Sequence, residues 1–261
     1  MLERNGKVDF MDKIVNESVK KVIAVVSGKG GVGKSLVTGL SACASNKAGY
    51  KTAILDADMT GPSIPMMFGL NGRCFGSTEG IIPVKTKLGT KVISVNLLME
   101  NKTDPVIWRG PIIGNMLKQF WTDVNWKDID FMFIDMPPGT GDVAITTFNE
   151  IPIDGIIIVT SPQDLVSMIV TKALKMARSS EIPVLGIVEN MSYMVCPDCG
   201  KKMYPYGESK LDAIAEKEGL KILGRIPFNP ELAAAADAGT IEKVEADYLD
   251  SLIPIFEELM K

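Results

Sequence analysis

The densest chemistry in the sequence lies at Ser27-Gly28-Lys29-Gly30-Gly31-Val32-Gly33-Lys34-Ser35. Glycines at 28, 30, 31 and 33 allow the backbone to turn its N–H groups inward around phosphate oxygens. Lys34 supplies a point charge for the β- and γ-phosphates, and the Ser35 hydroxyl suits a Mg²⁺ ligand. An apolar, β-branched run at 21–26 precedes the loop, and small and apolar residues at helical spacing follow it over 36–47. The order strand, glycine-rich loop, helix is the context this motif requires, with the helix N-terminus adding positive potential. The stretch predicts a nucleoside triphosphate cradle.

Carboxylates stand where such a cradle needs them. A short apolar run at 51–56 ends in Asp56, with Asp58 two residues on. The carboxyl end of a parallel strand faces the ligand crevice, and alternation in extended chain turns both side chains the same way, towards the phosphates. An ordinary turn or helix cap is the other reading of an Asp-x-Asp ahead of Gly61 and Pro62. A second strand, 130–135, ends in Asp135 and runs into Met-Pro-Pro-Gly-Thr-Gly-Asp142. Asp135 is expected to be the Walker-B type carboxylate that holds Mg²⁺, and Gly139 to offer its N–H to the γ-phosphate. A loop of prolines and glycines has few backbone states, which suits a two-state switch. Asn190 closes the strand-like run 183–190, where its amide can donate and accept at a purine edge; Asn is equally an ordinary turn residue.

Cysteine supplies a second kind of chemistry. The chain has four cysteines, at 43, 74, 196 and 199, and no histidine. Without histidine, proton transfer falls to carboxylates or water, and a soft-metal site falls to cysteine. Only Cys196 and Cys199 have metal-ligand spacing, and two thiolates make half of a tetrahedral site. A second copy about a two-fold axis would supply the other half, for a 4Fe–4S cluster or zinc. A redox disulfide is the third reading, although thioredoxin-type pairs open a helix and this one reads as a ribbon knuckle.

The rest of the chain must position these groups. It has 261 residues, 28 basic and 32 acidic, for a net charge of −4. That balance gives no reason to expect nucleic acid or an anionic membrane as partner. No apolar stretch approaches the roughly 20 residues of a spanning helix, and the polar start lacks a secretory core, so a cytoplasmic location is expected. We expect a lead segment at 1–20 with a short helix over 11–20, then one domain over 21–261. Within it come a hairpin or edge elaboration at 69–96, a broad-faced apolar helix at 108–121 and a strand at 155–160. A helix at 164–178, the strand 183–190 and a Cys-x-x-Cys insertion near 193–203 follow, then a strand at 220–227 and helices at 230–238 and 241–260. Such alternation predicts an α/β fold, a mostly parallel central sheet flanked by helices on both faces, of the P-loop NTPase kind.

Lys29 is superfluous in an ordinary phosphate loop. Gly-Lys-Gly-Gly-Val-Gly-Lys-Ser resembles the deviant Walker A signature of the MinD-like ATPases. Within that group the segments from Asp56, from Asp135 and from Cys196 to Gly200 resemble the Mrp/ApbC family of iron–sulfur cluster carrier ATPases, over nearly the whole chain from about residue 20. The resemblance implies a homodimeric ATPase in which Lys29 reaches the partner's phosphates and Asp58 orients or activates the attacking water. It implies that Asp56 and Asp135 organise Mg²⁺ and that Asn190 contacts adenine. It also implies that Cys196 and Cys199 of two protomers bridge a 4Fe–4S cluster, received from a donor and passed to apo-proteins, with slow hydrolysis coupled to transfer. A MinD- or ParA-like regulatory switch, with a structural zinc or no metal, is the alternative. Two departures stand out: Leu36 occupies a position where the family usually has Thr, and no cysteine precedes Cys43, so the N-terminal four-cysteine cluster domain of eukaryotic relatives is not expected.

Overall fold

In a computed structural model of the chain, the described residues are 13–261 other than 59, 60, 62, 100–109, 140, 163–165 and 246. The chain enters at β1 (Val19–Ser27), passes the glycine loop and turns into α1 (Lys34–Lys47), then β2 (Thr52–Asp56) and the short α2 (Ile64–Met67). A small hairpin, β3 (Phe75–Ser77) with β4 (Gly80–Ile82), leads to β5 (Val84–Lys85) and β6 (Lys91–Ile93). Next are α3 (Gly110–Thr122), β7 (Ile129–Asp135), α4 (Asp142–Glu150), β8 (Gly155–Thr160), α5 (Val166–Ser179) and β9 (Val184–Asn190). A two-stranded ribbon of β10 (Met194–Val195) and β11 (Lys202–Met203) interrupts the alternation. The chain closes with α6 (Leu211–Glu218), β12 (Ile222–Ile226), α7 (Pro230–Asp237) and α8 (Ile253–Leu259).

Eight strands form one sheet in the order β12-β9-β8-β1-β7-β2-β6-β5, parallel except for β5, which runs antiparallel to β6. The crossovers run in opposite directions along the sheet: β1–α1–β2 passes over β7 one way, and β7–α4–β8 passes over β1 the other way, followed by β8–α5–β9. Right-handed crossovers therefore put α1 on one face of the sheet and α4 and α5 on the other. Every residue of β2 and β8 is buried, so these strands read as continuous apolar runs and not as alternating ones. In the register, Val25 pairs Asp135 and Asp56 pairs Asp135, so the loop after β1 and both strand-end carboxylates emerge at one edge.

Several expectations need correction. Among residues 13–18 there is no helix; Ile14 N–H bonds Glu150 O at 3.1 Å, Trp121 Nε1–H bonds Ile14 O at 2.6 Å, and the chain then enters β1 two residues earlier than expected. Residues 11 and 12 lie outside the described set. The 69–96 region is partly the expected hairpin, but β6 joins the main sheet beside β2, because Val92 and Ile93 bury fully against it. The expected helix over 241–260 is broken: short 3₁₀ turns at Ile241–Lys243 and Asp250–Leu252 precede α8. Pro254, which lacks an N–H, sits in the first turn of α8, where a helix tolerates it, and so sets the helix start there.

Phe256 locks α8 onto the sheet. It is fully buried, 4.9 Å from the Phe131 ring and 5.9 Å from Phe133, with Tyr50 at 6.3 Å. Phe256→Ala is expected to cost about 3–5 kcal/mol, read as a lower urea midpoint with unchanged slope; a loss under about 1 kcal/mol would show that α8 is not anchored through this ring.

Candidate functional site

The site begins with backbone shape. Gly31 and Gly33 lie at φ 79° and 81°, left-handed values that fold the loop back over the start of α1. A methyl group at Gly33 would overlap the Asn190 amide nitrogen, so this position needs glycine twice over. The loop, Lys34, Ser35, Asp58, Met66, Met67, Pro138 and the end of α7 at Ala236 and Asp237 enclose a cavity of about 410 Å³. That volume is in the range of small-molecule sites.

At its floor, Lys34 is only 5% exposed and its Nζ lies 2.7 Å from Asp135 Oδ1 and 3.5 Å from Asp58 Oδ2. Ser35 Oγ donates to Asp135 Oδ2 at 2.6 Å, and the Thr38 hydroxyl lies 2.8 Å from Oδ1, one helical turn beyond Lys34. The fully buried Asp135 carboxylate is thus gripped by three contacts from the start of α1, at Lys34, Ser35 and Thr38. Beside it, Asp56 is 1% exposed, Asp58 N–H reaches its Oδ1 at 3.2 Å, and its Oδ2 has no hydrogen-bond partner among the described residues. Burial, and next the Asp135 charge, push the Asp56 carboxyl well above its ordinary value. An orphaned carboxylate oxygen next to a second carboxylate and a serine hydroxyl is a set of hard oxygen donors. It fits Mg²⁺.

Lys29, Lys34, Ser35, Asp58, Gly30, Gly31, Val32 and Gly33 are brought together around the cavity, with Gly28 in the turn that leads to them. Gly139 and Asn190 are not. Gly139 N–H donates to Ser27 O at 2.9 Å and is not presented to a γ-phosphate. Asn190, 3% exposed, lies beneath the loop with its Nδ2–H donated to Val32 O at 3.0 Å, so it braces the loop in place of facing a base. Both groups satisfy a protein partner, as buried polar groups must when no ligand does so. Thr38 was missed at the sequence level, although its spacing of four from Lys34 on one helix face was the available signal.

The second site lies beyond β9. Met194 pairs Met203 and Val195 pairs Lys202, and the turn between them is closed by Cys196 N–H to Lys201 O at 3.0 Å and Gly200 N–H to Cys196 O at 2.9 Å. Gly200 takes φ 70°, the left-handed value that ends the knuckle. The Cys199 and then the Asp198 N–H groups point at Cys196 sulfur and hold its thiol below the ordinary value, favouring thiolate. Cys199 is exposed and Cys196 half-buried, whereas Cys43 and Cys74 are buried, Cys43 being pushed up to about 12 by its burial. Among the described residues no group of three or more His, Cys, Asp or Glu side chains gathers to hold a metal. The knuckle is a two-thiol half-site.

A family profile described as NUBPL iron-transfer P-loop NTPase matches residues 18–260. An iron-sulfur cluster carrier protein of Clostridium perfringens is 47% identical over 238 residues, which cover 88% of this chain and 84% of that one. A nucleotide-binding protein of Archaeoglobus fulgidus, solved in complex with ADP and with Co found in it, is 42% identical with TM-score 0.80, over 88% of this chain and 91% of that one. The MinD cell division protein of Aquifex aeolicus superposes with TM-score 0.61 over 92% of this chain and 96% of its own; at 22% identity it speaks for the fold alone.

The raised Asp56 carboxyl makes the ligand-free protein pH-sensitive. Its contribution to stability is full below the ordinary value of 3.8 and is lost as pH rises towards the elevated folded-state value. Asp56→Asn is expected to flatten the fall of the ligand-free melting temperature as pH rises above the ordinary carboxyl value of 3.8. An unchanged slope would mean that Asp56 is not the group titrating.

Proposed function

The chain belongs to the NUBPL iron-transfer P-loop NTPase family, and from that premise we propose that it is an ATP-hydrolysing carrier that holds a 4Fe–4S cluster between two copies and delivers it to apo-proteins. The observation that carries the reading is the Cys196–Cys199 knuckle: two thiols, Cys199 exposed and Cys196 favoured as thiolate, in a half-site that a second copy facing it would complete. A cluster donor, apo-protein recipients and a homodimer are the partners this implies.

In the nucleotide cycle the loop N–H groups from Gly28 to Ser35 and the Lys34 ammonium bind the phosphates, while Lys29 acts on the partner's nucleotide. Asp58, at the cavity wall, orients the attacking water, so hydrolysis is catalysed mainly by positioning and charge. Ser35, Asp135 and Asp56 would hold Mg²⁺, which when bound neutralises phosphate charge. Gly139 and Asn190 reach the nucleotide by exchanging a protein bond, to Ser27 O or Val32 O, for one to the γ-phosphate or the base. Nucleotide arrival therefore changes what holds the loop.

Lys34→Ala is expected to abolish nucleotide binding by calorimetry and also to cost about 3–5 kcal/mol of stability, because it leaves Asp135 buried and uncompensated. Asp58→Ala is expected to retain binding and lose phosphate release; wild-type turnover in that variant would remove Asp58 from the mechanism. For the cargo, anaerobic reconstitution with iron and sulfide is expected to give the visible absorption of a 4Fe–4S cluster in wild type and none in Cys196→Ala. Uptake independent of Cys196 would sink the proposal.

A further inference from the structure

The two sites lie on opposite sides of one short piece of backbone. Asn190, the last residue of β9, touches the phosphate loop twice, through its bond to Val32 O and through the close approach that forbids a side chain at Gly33. Cys196 is six residues further on.

Between them, Met191 stands at φ +56°, a left-handed conformation uncommon for a residue with a long side chain. On each side of it the chain is fixed. Before it, Glu189 is fully buried, accepts hydrogen bonds from Ser192 Oγ at 2.5 Å and from Ser209 Oγ, and faces Arg225 Nε at 3.6 Å. After it, Ser192 N–H bonds Ile226 O at 2.9 Å, Phe228 N–H bonds Tyr193 O at 2.7 Å, and Lys202 Nζ lies 4.2 Å over the Tyr193 ring. Ser209 stands on the far side of the knuckle from Ser192, so the Glu189 carboxylate ties both ends of the cysteine insertion to the strand that carries Asn190. The insertion is clamped at its base, and the one strained joint in the path lies directly behind the residue that grips the loop.

We propose that Asn190 is a positioning residue that reports the state of the phosphate loop to the Cys196–Cys199 knuckle, with the left-handed Met191 as the joint through which its displacement passes. A nucleotide that draws the loop or the Asn190 amide away from the Val32 O bond shifts the end of β9. With Met191 in its left-handed conformation and Ser192 and Ser209 tied to Glu189, that shift is passed to the base of the insertion, and the ribbon that presents the two thiols is displaced with it. The inference rests on reading the loop as the ATP cradle and the knuckle as the cargo site.

Its test needs no cluster. In the full-length protein without metal, the rate of alkylation of Cys196 and Cys199 by iodoacetamide is measured with and without a saturating non-hydrolysable ATP analogue and Mg²⁺, with nucleotide occupancy followed by calorimetry on the same samples. Wild type is expected to change its alkylation rate about fivefold or more on nucleotide binding. Met191→Gly frees the joint without straining the resting backbone, and is expected to bind nucleotide with unchanged affinity while the thiol response falls towards none. Asn190→Ala, saturated with nucleotide, is expected to lose the response likewise. A wild-type response in Met191→Gly or in nucleotide-saturated Asn190→Ala, or thiols in wild type that ignore nucleotide, would overturn the proposal. Failure to assemble a cluster would leave these outcomes unaffected and would count against the carrier reading alone.

Discussion

The contact on which the site depends is the buried pair between Lys34 and Asp135. Neither end reaches water to any extent, and together they join the first turn of α1 to the end of β7, two elements far apart in sequence. A buried ion pair is a poor source of net stability, because desolvation offsets most of the Coulomb gain, but removing one partner is costly. Its value here is geometric. With Ser35 and Thr38 added, the pair sets the height of the loop above the sheet and keeps two neighbouring carboxylates, Asp56 and Asp135, tolerable side by side. The ammonium lies against Asp135 and Asp58, and on the proposed reading phosphate and metal charge would exchange that compensated arrangement for another.

That exchange organises the surroundings. Every group expected to meet nucleotide but found elsewhere, Gly139 N–H and the Asn190 amide, is satisfied by a loop or strand carbonyl within the same layer. The proposed carrier reading asks for a second copy twice. The knuckle offers two thiols of a four-ligand site, and the proposed role of Lys29, at the rim of a cavity that already has Lys34, is to act on a partner's nucleotide, so both proposals lead to the same assembly.

Much of this was legible in the sequence, and the reasons differ from element to element. The glycine loop, Asp135 at a strand end and the Cys-x-x-Cys pair are short-range patterns whose spacing is set by local backbone geometry, and local geometry is what a sequence displays. The buried strands stood out because a parallel sheet covered on both faces writes unbroken apolar runs such as residues 155–159. What the sequence hid depends on distant partners. That β6 joins the main sheet is decided by its burial against β2, not by its own three residues. Residues 13–18 have helix-compatible side chains, yet Ile14 is held by Glu150 O and the Trp121 ring N–H and no helix forms there. Asn190 reads the same whether its amide faces a base or a loop carbonyl, and only the fold places Val32 within its reach. Pro254 stands inside an amphipathic pattern that reads as one helix, yet a residue without an N–H fits a first turn, and α8 begins there.

The central claim, that this chain is one half of a two-part carrier, is tested most directly by native mass spectrometry of the anaerobically reconstituted protein. The account predicts a species of two chains with one 4Fe–4S cluster, absent from Cys196→Ala and Cys199→Ala. A cluster or a zinc ion held with full occupancy by a single chain, unchanged in those variants, would contradict it.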